Sequence, residues 1–413
     1  MRIPCSDEIV LCDEMIDIRP IFNDWAVQRL GHIQQLGQTA RVFLGGKHTR
    51  LEHSLGTFAL AKKQCADWRR RGLITAEEAR ILCLFAFLHD IGHFPFSHAI
   101  EPLLDGGHHD NGINILFRMS KAIAQCGVDK AELENCLREK NPLAAAVHHG
   151  LLGWDKIDYL VRDAHHTGFG GSPETKLIMA HTLPCDGRIV VEKTALHEVL
   201  QLKNFMYSMY MRIYERSKVA YARRLMQKIY ECLVAEGVFR STILESLTDP
   251  EFEAQCMLSR DDDLRHLYDI HIGIGNLPQT GLLVCLKGLG SYYERSDKAM
   301  RAVVELDADA FLALSDKVTW KNAARLEANC AAVANCRSRD VFIQPSRNPR
   351  RSTMPATIVK DGDKFRDLAE IVPPDIDQDL AKRVQIIRVG TTDPRALETI
   401  FKRSAEIVKM LGE

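Results

Sequence analysis

The chain has 413 residues, 46% hydrophobic and 26% charged, with a formal net charge of −1. This is ordinary globular composition, and the balanced charge excludes a global basic field for nucleic acid or membrane surfaces. The longest apolar runs fall far short of the roughly 20 residues a membrane helix needs. The N-terminal stretch MRIPCSDEIVLCDEMIDIRP is acidic and has no continuous apolar region, so it does not read as a signal peptide, and a cytoplasmic protein is expected.

In chain order, the first strong element is EEARILCLFAFLHD (77–90). It is nearly continuously apolar and predicts a central buried helix, stopped by Gly92 and Pro95. VDKAELENCLREK (128–140) predicts an exposed helix, ended by Asn141-Pro142. GWDKIDYLVRDAHH (153–166) predicts another, closed by Gly168 and the loop FGGS. Between 195 and 235 lies the longest periodic stretch, with Tyr207, Tyr210, Tyr214 and Tyr221 spaced to share one helix face. Short strands are expected at RIVVEK (188–193), DVFIQP (340–345), ATIVKDGDKF (356–365) and VQIIRV (384–389). LTDPEFEAQCML reads as helical, SRNPRRS (346–352) as a basic loop, and DPRALETIFKRSAEIVKML as one C-terminal amphipathic helix. The texture changes near residue 240. The chain is therefore read as a mainly α protein, with a helical core over 1–240 and a helical and α+β accessory region over 241–413.

The twelve cysteines are scattered without a C-x-x-C, which suits buried reduced thiols better than a zinc site. Histidine is distributed differently: twelve of sixteen fall between His32 and His166, and HDIGHFPFSH (89–98) packs three beside an aspartate. Such a cluster points to a metal or acid–base site. Imidazole and carboxylate together suit a hard or borderline divalent ion. His89 and Asp90 supply one donor of each kind, and His53 and Asp155 are candidates to complete the set, leaving room for water or phosphate.

The segments QRLGHIQQLG (28–37), RLEHSLG (50–56), FLHDIGHFPFSHAIE (87–101) and DKIDYLVRDAHHTG (155–168) resemble the HD phosphohydrolase superfamily. Within it they are most similar to the deoxynucleoside triphosphate triphosphohydrolases, the SAM-HD dNTPases and bacterial dGTPase-like enzymes, over roughly residues 15–235. The resemblance implies an HD-domain helical phosphohydrolase core with a smaller C-terminal α+β region. It implies His53, His89, Asp90 and Asp155 as ligands of one divalent ion (Mn²⁺, Mg²⁺ or Fe, with Zn²⁺ also chemically acceptable), and a second metal bridging the phosphates. The implied reaction is water attack at the α-phosphorus of a dNTP, giving deoxynucleoside and triphosphate. His93, His98 and His109, the last paired with Asp110, are expected around the α-phosphate. Arg50 and Lys156 are expected on the triphosphate, Gln35, Leu36, Tyr159 and Asp163 at the sugar, and Tyr210 and Tyr214 as further substrate contacts. A homo-oligomer, tetrameric or hexameric, is also implied.

Gly31 and Asn23 stand where the SAM-HD enzymes carry the arginine and acid that read an activating guanine nucleotide, and Arg216 stands where a histidine is expected. Two other readings stay open: an HD phosphohydrolase of another nucleotide (a monophosphate, modified nucleotide or second messenger), and a non-catalytic nucleotide sensor or single-stranded-DNA-binding protein using WRRRG (68–72) or the 346–352 loop. The doublets His148-His149 and His165-His166 are expected to be structural.

Overall fold

The computed structural model describes residues 1–148, 150–239, 244–294, 301–346, 357–372 and 385–413. His149 and most of the basic 346–352 loop therefore lie outside the described residues. The protein is mainly α-helical, with sheets in both of its compact units. The first unit comprises Met1–Met209, Ser241–Phe252 and Met354–Pro373; the second comprises Tyr210–Arg240, Glu253–Thr353 and Pro374–Glu413.

In the first unit four helices carry the chemistry: α1 (Arg50–Arg70), α2 (Ala76–Leu88), α3 (His108–Arg118) and α4 (Trp154–Thr167). Two T-x-x-E sequences start the first two. Thr49 with Glu52, and Thr75 with Glu78, form reciprocal capping boxes that satisfy backbone N–H groups no helical carbonyl can reach. Every residue of the run ILCLFAFL in α2 is buried. Phe58 and Trp68 of α1 and Trp154 of α4 belong to the same core as α2. The segment predicted as an exposed helix runs from Lys130 to Leu137 and is half-buried: Leu133, Cys136 and Leu137 pack into this core, so its i, i+3, i+4 apolar stripe outweighs its charged face.

Among the described residues, eight strands form two sheets: β1 (Thr182–Cys185), β2 (Arg188–Glu192), β3 (Gln279–Leu286), β4 (Ala302–Leu306), β5 (Val341–Gln344), β6 (Ile358–Asp361), β7 (Lys364–Asp367) and β8 (Ile386–Thr391). The first unit holds the order β1-β2-β6-β7, antiparallel except where β2 meets β6. The second unit holds β4-β3-β8-β5, with β3 and β4 parallel and the other pairs antiparallel. Its core joins Leu282, Val284, Ile343, Ile387 and Val389 of the sheet to Leu326, Ile400 and Ile407 of the helices.

Two helix expectations need correction. The long tyrosine-bearing stretch is not one helix. It runs from Leu196 to Met209, loosens into a π-helical turn at Tyr210–Tyr214, and resumes at Ser217–Ala235. The changed turn breaks the 3.6-residue register that a shared tyrosine face requires. The C-terminal amphipathic helix is likewise two, Pro394–Lys402 and Ser404–Leu411, because Arg403 leaves helical geometry (φ −103°, ψ 25°).

Candidate metal centre and adjoining cavity

The fold gathers groups from the ends of helices. His53 sits in the first turn of α1, His89 caps the C-terminus of α2, Asp90 follows it, and Asp155 lies in the first turn of α4. His53 Nε2 is 3.3 Å from His89 Nε2, 3.0 Å from Asp155 Oδ1 and 3.6 Å from Asp90 Oδ2. His89 Nε2 is 3.5 Å from Asp90 Oδ1 and 3.6 Å from Asp155 Oδ1.

Both imidazoles are fixed from behind. His53 Nδ1 pairs with Asp158 Oδ2 at 2.8 Å, and His89 Nδ1 faces the Ala86 carbonyl at 2.9 Å. With both Nδ1 atoms donating, both Nε2 atoms present lone pairs to one point. Two lone pairs 3.3 Å apart repel unless a proton or a cation stands between them. Donors each ~2.1 Å from one ion and at right angles to it stand ~3.0 Å apart. The four donors thus fit a divalent ion. Without one, a proton must take its place. Burial opposes a charged imidazole at His53, yet hydrogen bonds to Asp155 and Asp158 raise its pKa to about 10. Burial is also outweighed at Asp155, whose carboxyl the two histidines hold well below the usual range.

Asp158 was not among the expected site residues. It is buried, accepts from Arg162 Nε (2.9 Å) and Nη2 (2.8 Å), and so ties the fully buried Arg162 to His53. Gly56 of α1 is required for this approach. A Cβ there would fall on Asp158 Oδ1 and Arg162 Nη2.

Beside the donor cluster lies a cavity of about 300 Å³ lined by Gln35, Arg50, His89, Asp90, His93, His98, His108, His109, Glu139, His148, Asp155 and Tyr159. The loop 90–98 forms one wall, with Phe96 and Ser97 both at φ 56°, a left-handed conformation rare outside glycine. Three bonds hold it there: Phe96 N–H donates to Asp249 Oδ1 (2.7 Å), Ser97 Oγ donates to the Gln34 carbonyl (2.8 Å), and Arg50 Nε donates to Ser97 Oγ (2.8 Å). Arg50 Nη1 also pairs with Asp90 Oδ2. Gly92 allows α3 to come close, since a Cβ would strike the His108 carbonyl and the Gly112 backbone.

Among the described residues, the buried atoms His93 Nε2, Gln35 Oε1 and His148 Nε2 have no hydrogen-bond partner. Orphaned polar atoms lining a cavity are positions for a ligand or water. Burial lowers the pKa of His93 and His109, and takes His148 to about 3. His148, expected to be structural, thus lines the cavity, 5.7 Å centroid to centroid from His89.

The remaining expected residues divide. Arg50, Gln35, Tyr159, His93, His98 and His109 line the cavity. Lys156, half-buried, does not, and neither does Leu36, which packs by Gly46. The buried Asp163 accepts from His48 Nε2 at 2.8 Å instead of facing the cavity. Asp110 does not orient His109. It is exposed and accepts from Gly107 N–H at 3.4 Å, closing the first turn of α3. The carboxylate that meets histidines here is Glu101, 2.7 Å from His98 Nδ1 and 2.6 Å from His108 Nδ1. Tyr210 and Tyr214 lie in the second unit with rings 5.2 Å apart.

The sequence matches the HD domain family model over residues 50–157. It is 31% identical over 214 residues to the uncharacterized protein YwfO of Bacillus subtilis, covering 49% of this chain and 48% of that protein. It is 28% identical over 252 residues to the deoxynucleoside triphosphate triphosphohydrolase SAMHD1 homolog of Dictyostelium discoideum, covering 54% and 47%. The chain spans about half the length of these curated relatives. The crystal structure of a phosphohydrolase from Bacteroides thetaiotaomicron aligns with a TM-score of 0.68 at 20% identity, over 94% of this chain and 100% of that one, which shows a shared fold.

Proposed function

We propose that this chain, a member of the HD-domain superfamily, is a metal-dependent dNTP triphosphohydrolase. The observation that carries the reading is the junction of a four-donor cluster with a cavity of about 300 Å³ containing a guanidinium and several imidazoles. That is the chemistry of a phosphate pocket next to a divalent cation. The similarity to a relative named for dNTP triphosphohydrolysis supports the choice among phosphate esters.

His53, His89, Asp90 and Asp155 would hold the ion. Bound there, it would polarise a phosphoryl oxygen and strengthen water as a nucleophile. Arg50, locked by Ser97 and Asp90, offers Nη atoms to phosphate oxygens without reorganising. As the bond from phosphorus to the 5′-oxygen breaks, that oxygen needs a proton. His98 and His109, which line the cavity, would supply it, and the proton that the attacking water loses restores the imidazole that gave it. Tyr159, which lines the cavity with its ring 6.5 Å from that of His53, would meet the sugar. The substrate is a nucleotide and the working form a homo-oligomer.

A second reading has its own observation. Lys156 does not line the cavity and Asp163 is held by His48, so the site as folded offers less to a triphosphate and a sugar than expected. That favours a smaller phosphate ester. Incubation with Mn²⁺ or Mg²⁺ and each dNTP, NTP and deoxynucleoside monophosphate, followed by ion-exchange separation, decides between them. Nucleoside with intact triphosphate is the expected result; orthophosphate released only from monophosphates would overturn it in favour of the second reading.

A further inference from the structure

We infer that Asp249 is a positioning residue for the reaction: one buried carboxylate joins two walls of the cavity and, through them, aims the Arg50 guanidinium at phosphate. The inference rests on the reading of the cavity as a phosphate-ester site. Asp249 opens a helix (Asp249–Leu258) far along the chain from the histidine-rich segments and is only 4% exposed. Its two oxygens divide between the walls. Oδ1 accepts from Phe96 N–H at 2.7 Å, and Oδ2 accepts from Gln34 N–H at 2.9 Å.

From there the bonds close a circuit. Ser97 Oγ donates to the Gln34 carbonyl at 2.8 Å, so Gln34 is held by Asp249 through its N–H and by Ser97 through its carbonyl. The same Ser97 Oγ accepts from Arg50 Nε at 2.8 Å, and Arg50 Nη1 pairs with Asp90. Gln34 also bridges to Thr49, and Arg50 N–H donates to the Ile33 carbonyl at 2.9 Å, which ties the helix start that carries Arg50 to the same wall. Gln35 on one wall and His93 and His98 on the other line the cavity. Phe96 and Ser97 hold left-handed backbone that persists only where the surroundings over-determine it, and Asp249 supplies one of the bonds that do so.

Asp249 is itself fixed. Beside it Glu251 Oε2 accepts from the Thr248 N–H and hydroxyl, each at 2.8 Å, in the manner of a capping box. The Phe252 ring meets Phe96 edge-on at 5.4 Å. Buried Arg29 donates Nε to the Leu247 carbonyl (2.9 Å) and Nη2 to the His93 carbonyl (2.8 Å), so the segment around Asp249 grips the loop at His93 as well as at Phe96. Gly37 lets the walls approach, since a Cβ there would strike the Phe96 carbonyl. Both bonds to the Asp249 carboxylate are charge-assisted. Asparagine has the same shape but accepts on one side only and turns an NH₂ toward the other N–H.

Inorganic phosphate and Mg²⁺–tripolyphosphate are the probes, because their binding needs no turnover. Full-length, Mg²⁺-loaded protein is titrated calorimetrically as wild type, Asp249→Asn, Asp249→Ser, Ser97→Ala and the Asp249→Asn/Ser97→Ala double variant. Near-UV circular dichroism reports whether each is folded. Asp249→Asn should weaken binding of the probe on the order of 10-fold. Metal affinity at the four-donor cluster should stay close to wild type, since His53, His89 and Asp155 lie outside the braced walls. The losses in Asp249→Asn and Ser97→Ala should be far from additive, because both cut one circuit. Asp249→Ser, which keeps one accepting oxygen, stands in if the asparagine variant does not fold. Wild-type probe affinity in a folded Asp249 variant, additive losses, or an equal loss of metal affinity overturns the inference. So does failure of both Asp249 variants to fold, which would assign the residue to stability alone. Failure of wild type to bind either probe is a different result: it overturns the phosphate-site reading, and the inference with it.

Discussion

Asp158→Asn is the most informative single change, because it separates orientation of the metal centre from the centre itself. The substitution keeps the shape of the side chain but removes the charge that faces Arg162 and His53. Breaking a buried pair while leaving one charge behind costs about 3–5 kcal/mol. Here Arg162 keeps two bonds, to the Pro4 carbonyl (2.6 Å) and Ser6 Oγ (3.1 Å), and the asparagine oxygen still accepts one. The lower figure, about 3 kcal/mol, is therefore expected, a fall in Tm of roughly 3–4 °C for a chain of 413 residues. Metal affinity should fall separately. An outer partner of a ligating histidine is worth about 10–100-fold, so the ion-dissociation constant of the four-donor cluster should rise by that factor. Scanning calorimetry on apo-protein reads the first effect, and competition titration against a chelator reads the second. Adding Arg162→Met to Asp158→Asn removes the stranded charge and should restore much of the Tm without restoring metal affinity. Wild-type metal affinity in Asp158→Asn would refute the claim that Asp158 orients His53.

Other outcomes follow from the same contacts. Gly56→Ala places a methyl group on Asp158 and Arg162 and should destabilise the protein by about 1–3 kcal/mol in a urea melt. Asp155→Ala should abolish turnover and metal binding at the four-donor cluster while leaving the circular dichroism intact, since Asp155 is partly exposed and meets only His53 and His89 in ion pairs among the described residues. His109→Ala should lower kcat by a factor on the order of 10²–10⁴ with KM little changed, measured by product release under saturating substrate. Burial pushes the thiols of Cys136, Cys256 and Cys330 up to about 12 from 9.0. Above pH 9 the unfolded chain therefore loses protons that the folded chain keeps, so stability present at pH 7 is lost as pH rises from 9 toward 12. The Tm of reduced apo-protein should fall over that window, and less steeply in a triple alanine variant.

Much of the helical frame is visible in the sequence because its signals are local. ILCLFAFL is apolar on every side and is buried on every side, and DKIDYLVRDAHH sits within a helix that Gly168 ends in the left-handed region. Strands RIVVE, VFIQ and the hairpin around Asp361 and Lys364 announce themselves by β-branched residues and turns. Strand β3 does not: GLLVCL is a plain apolar run, which periodicity cannot assign to helix or strand.

At the site, residues fixed by short motif spacing are brought together, and the errors lie where partners come from elsewhere in the chain. Asp110 follows His109 directly, yet adjacent residues on a helix point about 100° apart, so a neighbour in sequence is a poor candidate for a hydrogen-bond partner. Glu101 reaches His108 across seven residues because the backbone bends through residues 104–106 before α3. Asp158 carries a signal that was available: Asp155, Asp158 and Arg162 stand at i, i+3 and i+7, one helical face. On such a face the first acid can reach toward an ion while the second, one turn deeper, is held by the arginine and holds the histidine. The pairing of an exposed ligand with a buried orienting residue is thus written in the helical period itself, and a carboxylate one turn behind a metal-ligand candidate is the place to look for the group that aims it.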